Sequence, residues 1–324
     1  MSPAVTDSIV VAGGRVTDRV YSINPESGET CSWTVGLQQK RYIHQAARFS
    51  DGSAVVTGGF RESNDGTVDE YCPATEVLSQ SGNMKMQDQS LGREYAASGI
   101  LLSLEEEELF VVCGGTTLNG MTSSCEAFSR QTGNWTEFLS LRYAMGAPAT
   151  VVVSQRFMFV IGGPCAIPES GTPCPRRENT TLRFDVKSNW SWTEIAPLNE
   201  ARQFASAAAI SLKGEDGAVR PSIVVCGGTA AGVVDSMASE QLKSCEILPD
   251  PLSDGSVWSA LTPMSEARNN HRLVNFRGKL YALGGVGRDS VEVFDGREGK
   301  WRLTDVKLPH GAQNDLFAVA HAAN

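Results

Sequence analysis

Six times along its 324 residues the chain runs through a short apolar stretch into a pair of glycines. The pairs are Gly13-Gly14, Gly58-Gly59, Gly114-Gly115, Gly162-Gly163, Gly227-Gly228 and Gly284-Gly285, and typical lead-ins are Ala54-Val55-Val56-Thr57 and Phe110-Val111-Val112-Cys113. First glycines are separated by 45, 56, 48, 65 and 57 residues, and six units share the chain at 54 residues each. A repeat at this period is the mark of an architecture of stacked units, each too small to bury its own apolar faces. The runs have strand length and end on turn residues, so each unit reads as four short strands.

More than glycine repeats. Downstream of each pair comes an aromatic or aliphatic residue (Tyr21, Tyr71, Phe128, Phe184, Ile247, Phe294), then in five units a tryptophan: Trp33, Trp135, Trp190 or Trp192, Trp258 and Trp301. The second unit has no tryptophan, and Met84 or Met86 is expected to fill its place. Before the next pair an arginine recurs at Arg41, Arg93, Arg142, Arg202 and Arg268. Together these features resemble the kelch repeat, one four-stranded blade of a β-propeller. The resemblance covers essentially the whole chain. It implies an all-β, six-bladed kelch β-propeller, with residues 1–324 as one domain. The first unit lacks a strand before its glycines, and the apolar tail Leu316-Phe317-Ala318-Val319-Ala320 is expected to pair into it and close the ring.

Charge and composition narrow the function. With 28 basic and 37 acidic residues the net charge is −9, the wrong sign for a general nucleic-acid surface. No apolar run reaches the length of a membrane-spanning helix, and Met1 to Val11 has no basic segment followed by a long apolar one. The expectation is a cytoplasmic monomer. Four histidines, His44, His271, His310 and His321, form no metal pair, and the iron-binding E-x-x-x-D-x-x-x-H pattern of some kelch proteins is absent, as is a G-x-S-x-G elbow. No metal or cofactor is expected. Cys113 and Cys226 precede glycine pairs, with Cys125 and Cys245 at matching later places; the expectation is four buried thiols, the other reading two cross-strand disulfides. Cys165 and Cys174 lie in a Pro-rich loop that a disulfide would staple. Sequons at Asn134, Asn179 and Asn189 read as chance, and Glu105 to Glu108 as a solvated hairpin turn.

The recurring arginine belongs to the kelch framework, so candidate binding residues are sought just after it and in the loops after the glycines. The first set is Tyr42, Glu94, Tyr95, Tyr143, Gln203, Phe204, Asn269 and Asn270; the second is Arg15, Phe60, Arg61 and Arg288. Kelch domains of cullin ubiquitin-ligase adaptors resemble this arrangement and grip acidic peptides with such loops, although no BTB domain precedes the repeats here. The expected function is a protein-interaction module whose loop face takes a peptide or loop of a partner, an acidic one being the natural fit for the three arginines. Two alternatives are a sugar enzyme resembling the kelch mutarotases, with Glu94 and His271 as acid–base candidates, and a cytoskeletal kelch protein using its blade edges.

Overall fold

The computed structural model describes residues 8–13, 17–62, 69–79, 82–166, 178–188, 191–213, 217–230, 240–309 and 317–321. They form six four-stranded antiparallel sheets. Blade two is Gln45–Arg48, Ala54–Thr57, Thr75–Ser79 and Gly82–Lys85; blades three to six begin at Ala97–Leu102, Ala149–Val153, Ser206–Lys213 and Arg272–Phe276. Blade one takes its inner strand, Phe317–His321, from the C-terminal end of the chain and sets it against Ser8–Ala12, as the sequence led us to expect. The six inner strands pack in succession around one axis. Apolar residues on facing sheets form a cluster at every blade interface, as where Val10, Ala12 and Val20 meet Ala46, Val56 and Leu78.

The glycine pairs sit where neighbouring blades touch through backbone. A Cβ on Gly58 would lie 2.7 Å from the Arg93 carbonyl of the next blade, and one on Gly59 would lie 2.3 Å from the Tyr42 carbonyl. Both glycines have positive φ, 71° and 80°, so a side chain is refused by space and by conformation alike. The approach permits a hydrogen bond. Gly59 donates its N–H to the Arg93 carbonyl, Gly115 to Met145, Gly163 to Arg202 and Gly228 to Arg268.

This register corrects one expectation. The fourth-blade counterpart of the arginine is Met145; Arg142 is half exposed, over the Tyr143 ring and 3.9 Å from Glu194. The other four arginines are fully buried. Arg93 donates from Nη1 to the carbonyls of Gly114 and Ser124, at 3.0 and 2.9 Å, and from Nη2 to Glu126 at 2.7 Å. Arg41 pairs in the same way with Glu76, Arg202 with Glu246 and Arg268 with Glu292. Blade four has Leu182 where the glutamate would stand, and Met145 and Leu182 share one apolar cluster. Both partners are replaced together. That is the tolerated exchange, because removing one strands a buried charge whereas replacing both with apolar groups is close to neutral.

The indoles act as wedges between blades. Trp135, Trp192, Trp258 and Trp301 each donate Nε1–H to a carbonyl at the end of the preceding blade's outer strand: Gln87, Leu139, Ala196 and Thr262. Trp192, not Trp190, fills the fourth place, opposite Phe184. In blade two the place belongs to Asn83, opposite Leu78 and bonded to the Gly36 carbonyl, while Met84 is exposed. In blade one it belongs to Thr30, opposite Ile23; Trp33 packs toward blade two instead.

The expectation of free thiols is overturned. Cys113 and Cys125 stand directly opposite one another and form a disulfide, as do Cys226 and Cys245, with Cα atoms 4.1 and 4.2 Å apart. Facing positions of an antiparallel pair bring Cβ atoms within bridging distance, which equivalent places in a repeat could not show by themselves. Blade two puts the hydrogen-bonded hydroxyls of Thr57 and Thr75 at the same place, 2.9 Å apart. Cys165 is also disulfide-bonded, while Cys174 lies outside the described residues.

The exchange seen in blade four gives a prediction for blade three. Glu126→Leu alone should lower unfolding free energy by about 3–5 kcal/mol, and adding Arg93→Met should restore at least half of the loss, read from urea titrations. A double variant no more stable than the single one would contradict this account.

Candidate functional site

Two residues after each arginine place the backbone turns left-handed. Ile43, Tyr95, Ala147, Phe204 and Asn270 have φ of 57°, 48°, 47°, 56° and 49°. Five non-glycine residues in a conformation that costs about 1–2 kcal/mol each need outside support. Four of them obtain it from one another: Ala147 donates to the Tyr95 carbonyl, Phe204 to that of Ala147 and Asn270 to that of Phe204, at 2.9 to 3.0 Å. These residues ring the mouth of the central channel. Tyr95 and Phe204 meet there edge to face with ring centroids 4.9 Å apart, leaving a mouth of about 50 Å³. Below lies a chamber of about 170 Å³, lined in part by Gln45, Ser98, Thr150, Ser206 and Arg272.

A second aromatic group lies farther out, over blades two and three. Phe60 stacks between Tyr42 and Tyr71, with centroids 5.7 and 4.6 Å away. The strand Phe60–Glu62 that follows the glycines pairs with Asp69–Tyr71, and Tyr42 bridges to Phe60, so the rings are fixed by backbone. The Tyr42 hydroxyl donates to Asp69. Burial, and then the Glu94 carboxylate that accepts its hydrogen bond, raises the Tyr71 pKa above the ordinary phenol value. Arg61 reaches Glu70 at 3.1 Å and Gln39 at 3.1 Å. Phe60, Arg61, Tyr71, Glu94, Tyr95 and Phe204 are all partly exposed.

The expected residues thus divide. Tyr42, Tyr143, Gln203 and Asn269 are buried, with Tyr143 donating to Glu194 at 3.1 Å, and Asn270 is buried at the channel mouth. Arg288 bonds the Ala267 carbonyl at 2.8 Å and pairs with Glu266 at 3.2 Å over blade six, remote in sequence from Arg61, and Arg15 lies outside the described residues. Both described arginines therefore already face a carboxylate. Tyr71, Asp69 and Ala147 belong to the site and were missed. Tyr71 was assigned to the repeat core, where Leu78 stands, and Ala147 had no arginine to mark it. Long insertions follow the fourth and fifth glycine pairs, Pro164 to Thr180 and Thr229 to Lys243, and most of each, 167–177 and 231–239, lies outside the described residues. Among the described residues no three His, Cys, Asp or Glu side chains cluster closely enough to hold a metal ion.

His271 does not reach the mouth. It is fully buried, and burial first, then the charge of Arg268, lowers its pKa from 6.5 to about 3. His44, at the same place in blade two, is buried and lowered alike to about 3, by burial first and then Arg41. Between those pH limits each ring binds a proton more readily when unfolded, so its contribution to stability is complete above about pH 6.5 and lost as pH falls toward 3. Each ring should cost about 1.4 kcal/mol per pH unit below pH 6. His271→Leu should flatten that slope in denaturant titrations between pH 6 and 4; an unchanged slope would contradict the buried neutral ring.

Comparison with known proteins agrees with this geometry. No protein-family model matches the chain. Kelch-like protein 36 of Mus musculus is 23% identical over 316 residues, covering 91% of this chain and 46% of that protein, so the chain spans about half its length. Kelch domain-containing protein 7A of Mus musculus is 41% identical over 68 residues, 21% of this chain and 8% of that one. Among solved structures, that of YjhT superposes with a TM-score of 0.67 at 14% identity, covering 92% of this chain and 95% of that chain. A copper-bound fungal alcohol oxidase superposes at 0.59 and 16% identity, covering 94% and 63%. With six four-stranded blades around one axis, four buried arginine–glutamate pairs and kelch-like relatives along 91% of its length, the chain is a six-bladed β-propeller of the kelch type.

Proposed function

We propose that this propeller is a protein-interaction module that takes a peptide or loop of a partner on the face around its channel mouth, acting as a monomer. The observation that carries the reading is the aromatic pair Phe60 and Tyr71, backed by the buried Tyr42 and fixed by paired strands yet partly open to solvent beside Glu94, Tyr95 and Phe204. Rigid aromatic side chains backed by packed structure are the usual anchors of protein interfaces. The acidic preference expected from three arginines has less support, since Arg61 and Arg288 each already pair with a glutamate. Phe60 and Tyr71 supply apolar contact, and Arg61, Glu94 and the mouth backbone supply orientation.

The sugar-enzyme alternative needs an acid and a base converging on a ligand. Glu94 is bonded to Tyr71 and His271 is enclosed between blades, so that pair is not assembled. The two cross-strand disulfides weigh against the expected cytoplasmic placement, since such bonds persist in oxidising compartments. No helix among the described residues is long and apolar enough to cross a membrane.

Proximity cross-linking from the mouth tests the proposal. A photo-reactive side chain at Glu62 should capture a discrete partner, and Phe60→Ala with Tyr71→Ala should lose it, with affinity falling on the order of 30-fold, about 2 kcal/mol. Capture unchanged in the folded double variant would move the site elsewhere. NMR anomer exchange of free sialic acid should run at the uncatalysed rate with the protein present; acceleration would favour the enzyme.

A further inference from the structure

The indole wedge is missing at two seams: in blade two Asn83 takes its place and bonds the Gly36 carbonyl, whereas beside the blade-one position a groove lies open. In blades three to six an indole fills the outer gap toward the preceding blade, but in blade one the equivalent residue is the exposed Thr30. Between blades six and one there is instead a groove of about 710 Å³. The apolar part of its lining is Tyr281, Val293 and Val306. Its outer wall is swollen by a bulge: Ser290 pairs with Lys307 and Glu292 with Leu303, so Thr304, Asp305 and Val306 face the single residue Val291. Those three residues line the groove, opposite the Pro25–Gly28 turn of blade one.

The charge of this region opposes that of the chain. Lys279, Lys300, Arg302 and Lys307 line the groove with Glu26, Asp295 and Asp305. A second depression of about 870 Å³ shares Lys279 and Asp295 with it and adds Lys213, Arg277 and Arg297. Seven cations against three carboxylates give +4 along a surface of a chain whose net charge is −9. Lys279 faces Glu26 at 3.3 Å and Lys307 faces Asp289 at 3.0 Å, Arg302 pairs with Glu298, and Lys300 has no ion pair among the described residues. Carboxylates interspersed with the cations, around an apolar floor of Tyr281, Val293 and Val306, suit a peptide better than a phosphate backbone.

We propose that this seam is a second binding site, distinct from the channel mouth, and that it takes an acidic segment of a partner protein which inserts an aromatic side chain where blade one lacks its tryptophan. The indole of the partner completes the wedge and its flanking carboxylates meet Lys279, Lys300 and Arg302.

The probe is a fluorescein-labelled peptide with one tryptophan centred among four glutamates, followed by anisotropy. Wild type should bind it at least 10-fold more tightly than the same peptide with alanine for tryptophan, or with lysines for glutamates. Thr30→Trp should fill the gap from within, melting no lower than wild type and weakening the peptide at least 10-fold. Lys300→Glu with Arg302→Glu, at exposed positions, should weaken it as much and serves where Thr30→Trp folds poorly. Phe60→Ala with Tyr71→Ala should leave this affinity unchanged, which separates the seam from the mouth. Equal binding of the glutamate and lysine peptides, or full affinity in both seam variants, would overturn the proposal. So would self-association of wild type abolished by Thr30→Trp, which would make the occupant a second copy of this chain.

Discussion

Four of the seams between neighbouring blades share one backbone contact among the described residues. The second glycine of a pair donates its N–H to the carbonyl at the arginine place of the next blade, and no residue with a Cβ fits there. The guanidinium on that same residue turns back into its own blade, where it binds the glycine-pair carbonyl and a glutamate. One residue therefore locks its own sheet with its side chain and its neighbour with its backbone. Blade four separates the two roles, because Met145 keeps the carbonyl contact with Gly115 while losing the guanidinium and its glutamate. The backbone contact is the part the ring cannot lose; the buried ion pair is one of two ways to fill the space beneath it.

The same contact sets up the functional face. Fixing the arginine place forces the chain two residues later into a left-handed turn, and successive turns bond to each other around the mouth. Tyr95 and Phe204 are carried on that ring, so their rings meet over the channel rather than lining an open pore. Recognition then falls to the strands that follow the glycines, where Phe60 and Tyr71 are held by local pairing. Preorganisation of this kind lowers the entropic cost of binding.

Glycine pairs, tryptophans and the arginine were legible as a repeat because they meet backbone or fill a fixed gap, and such demands recur in every blade. What was not legible depended on departures from the repeat. Arg142 was taken for the framework arginine since nothing in spacing distinguishes it from Met145; the missing glutamate at Leu182 was the available signal. Trp33 counts among the repeat tryptophans in sequence, yet it stands three residues beyond Thr30, past the end of the Thr30–Ser32 strand and off the wedge position. Tyr42 and Tyr143 look like surface anchors in sequence, but both are buried: Tyr42 follows the arginine place, as the buried Gln203 and Asn269 do, while Tyr143 stands two residues before Met145. The cysteines were placed correctly at equivalent positions, and only cross-strand register reveals that they face each other.

If the backbone contact is what joins the blades, its hydrogen bonds should be equally durable whether or not an arginine stands behind them. Amide hydrogen exchange at Gly59, Gly115, Gly163 and Gly228 measures this directly, because each donates across a seam. We expect all four to exchange only with the slowest-exchanging core strands, Gly115 included, although its acceptor belongs to Met145. Fast exchange at Gly115 with protection at the other three would contradict the account, for it would mean that the guanidinium and not the glycine contact holds the ring together.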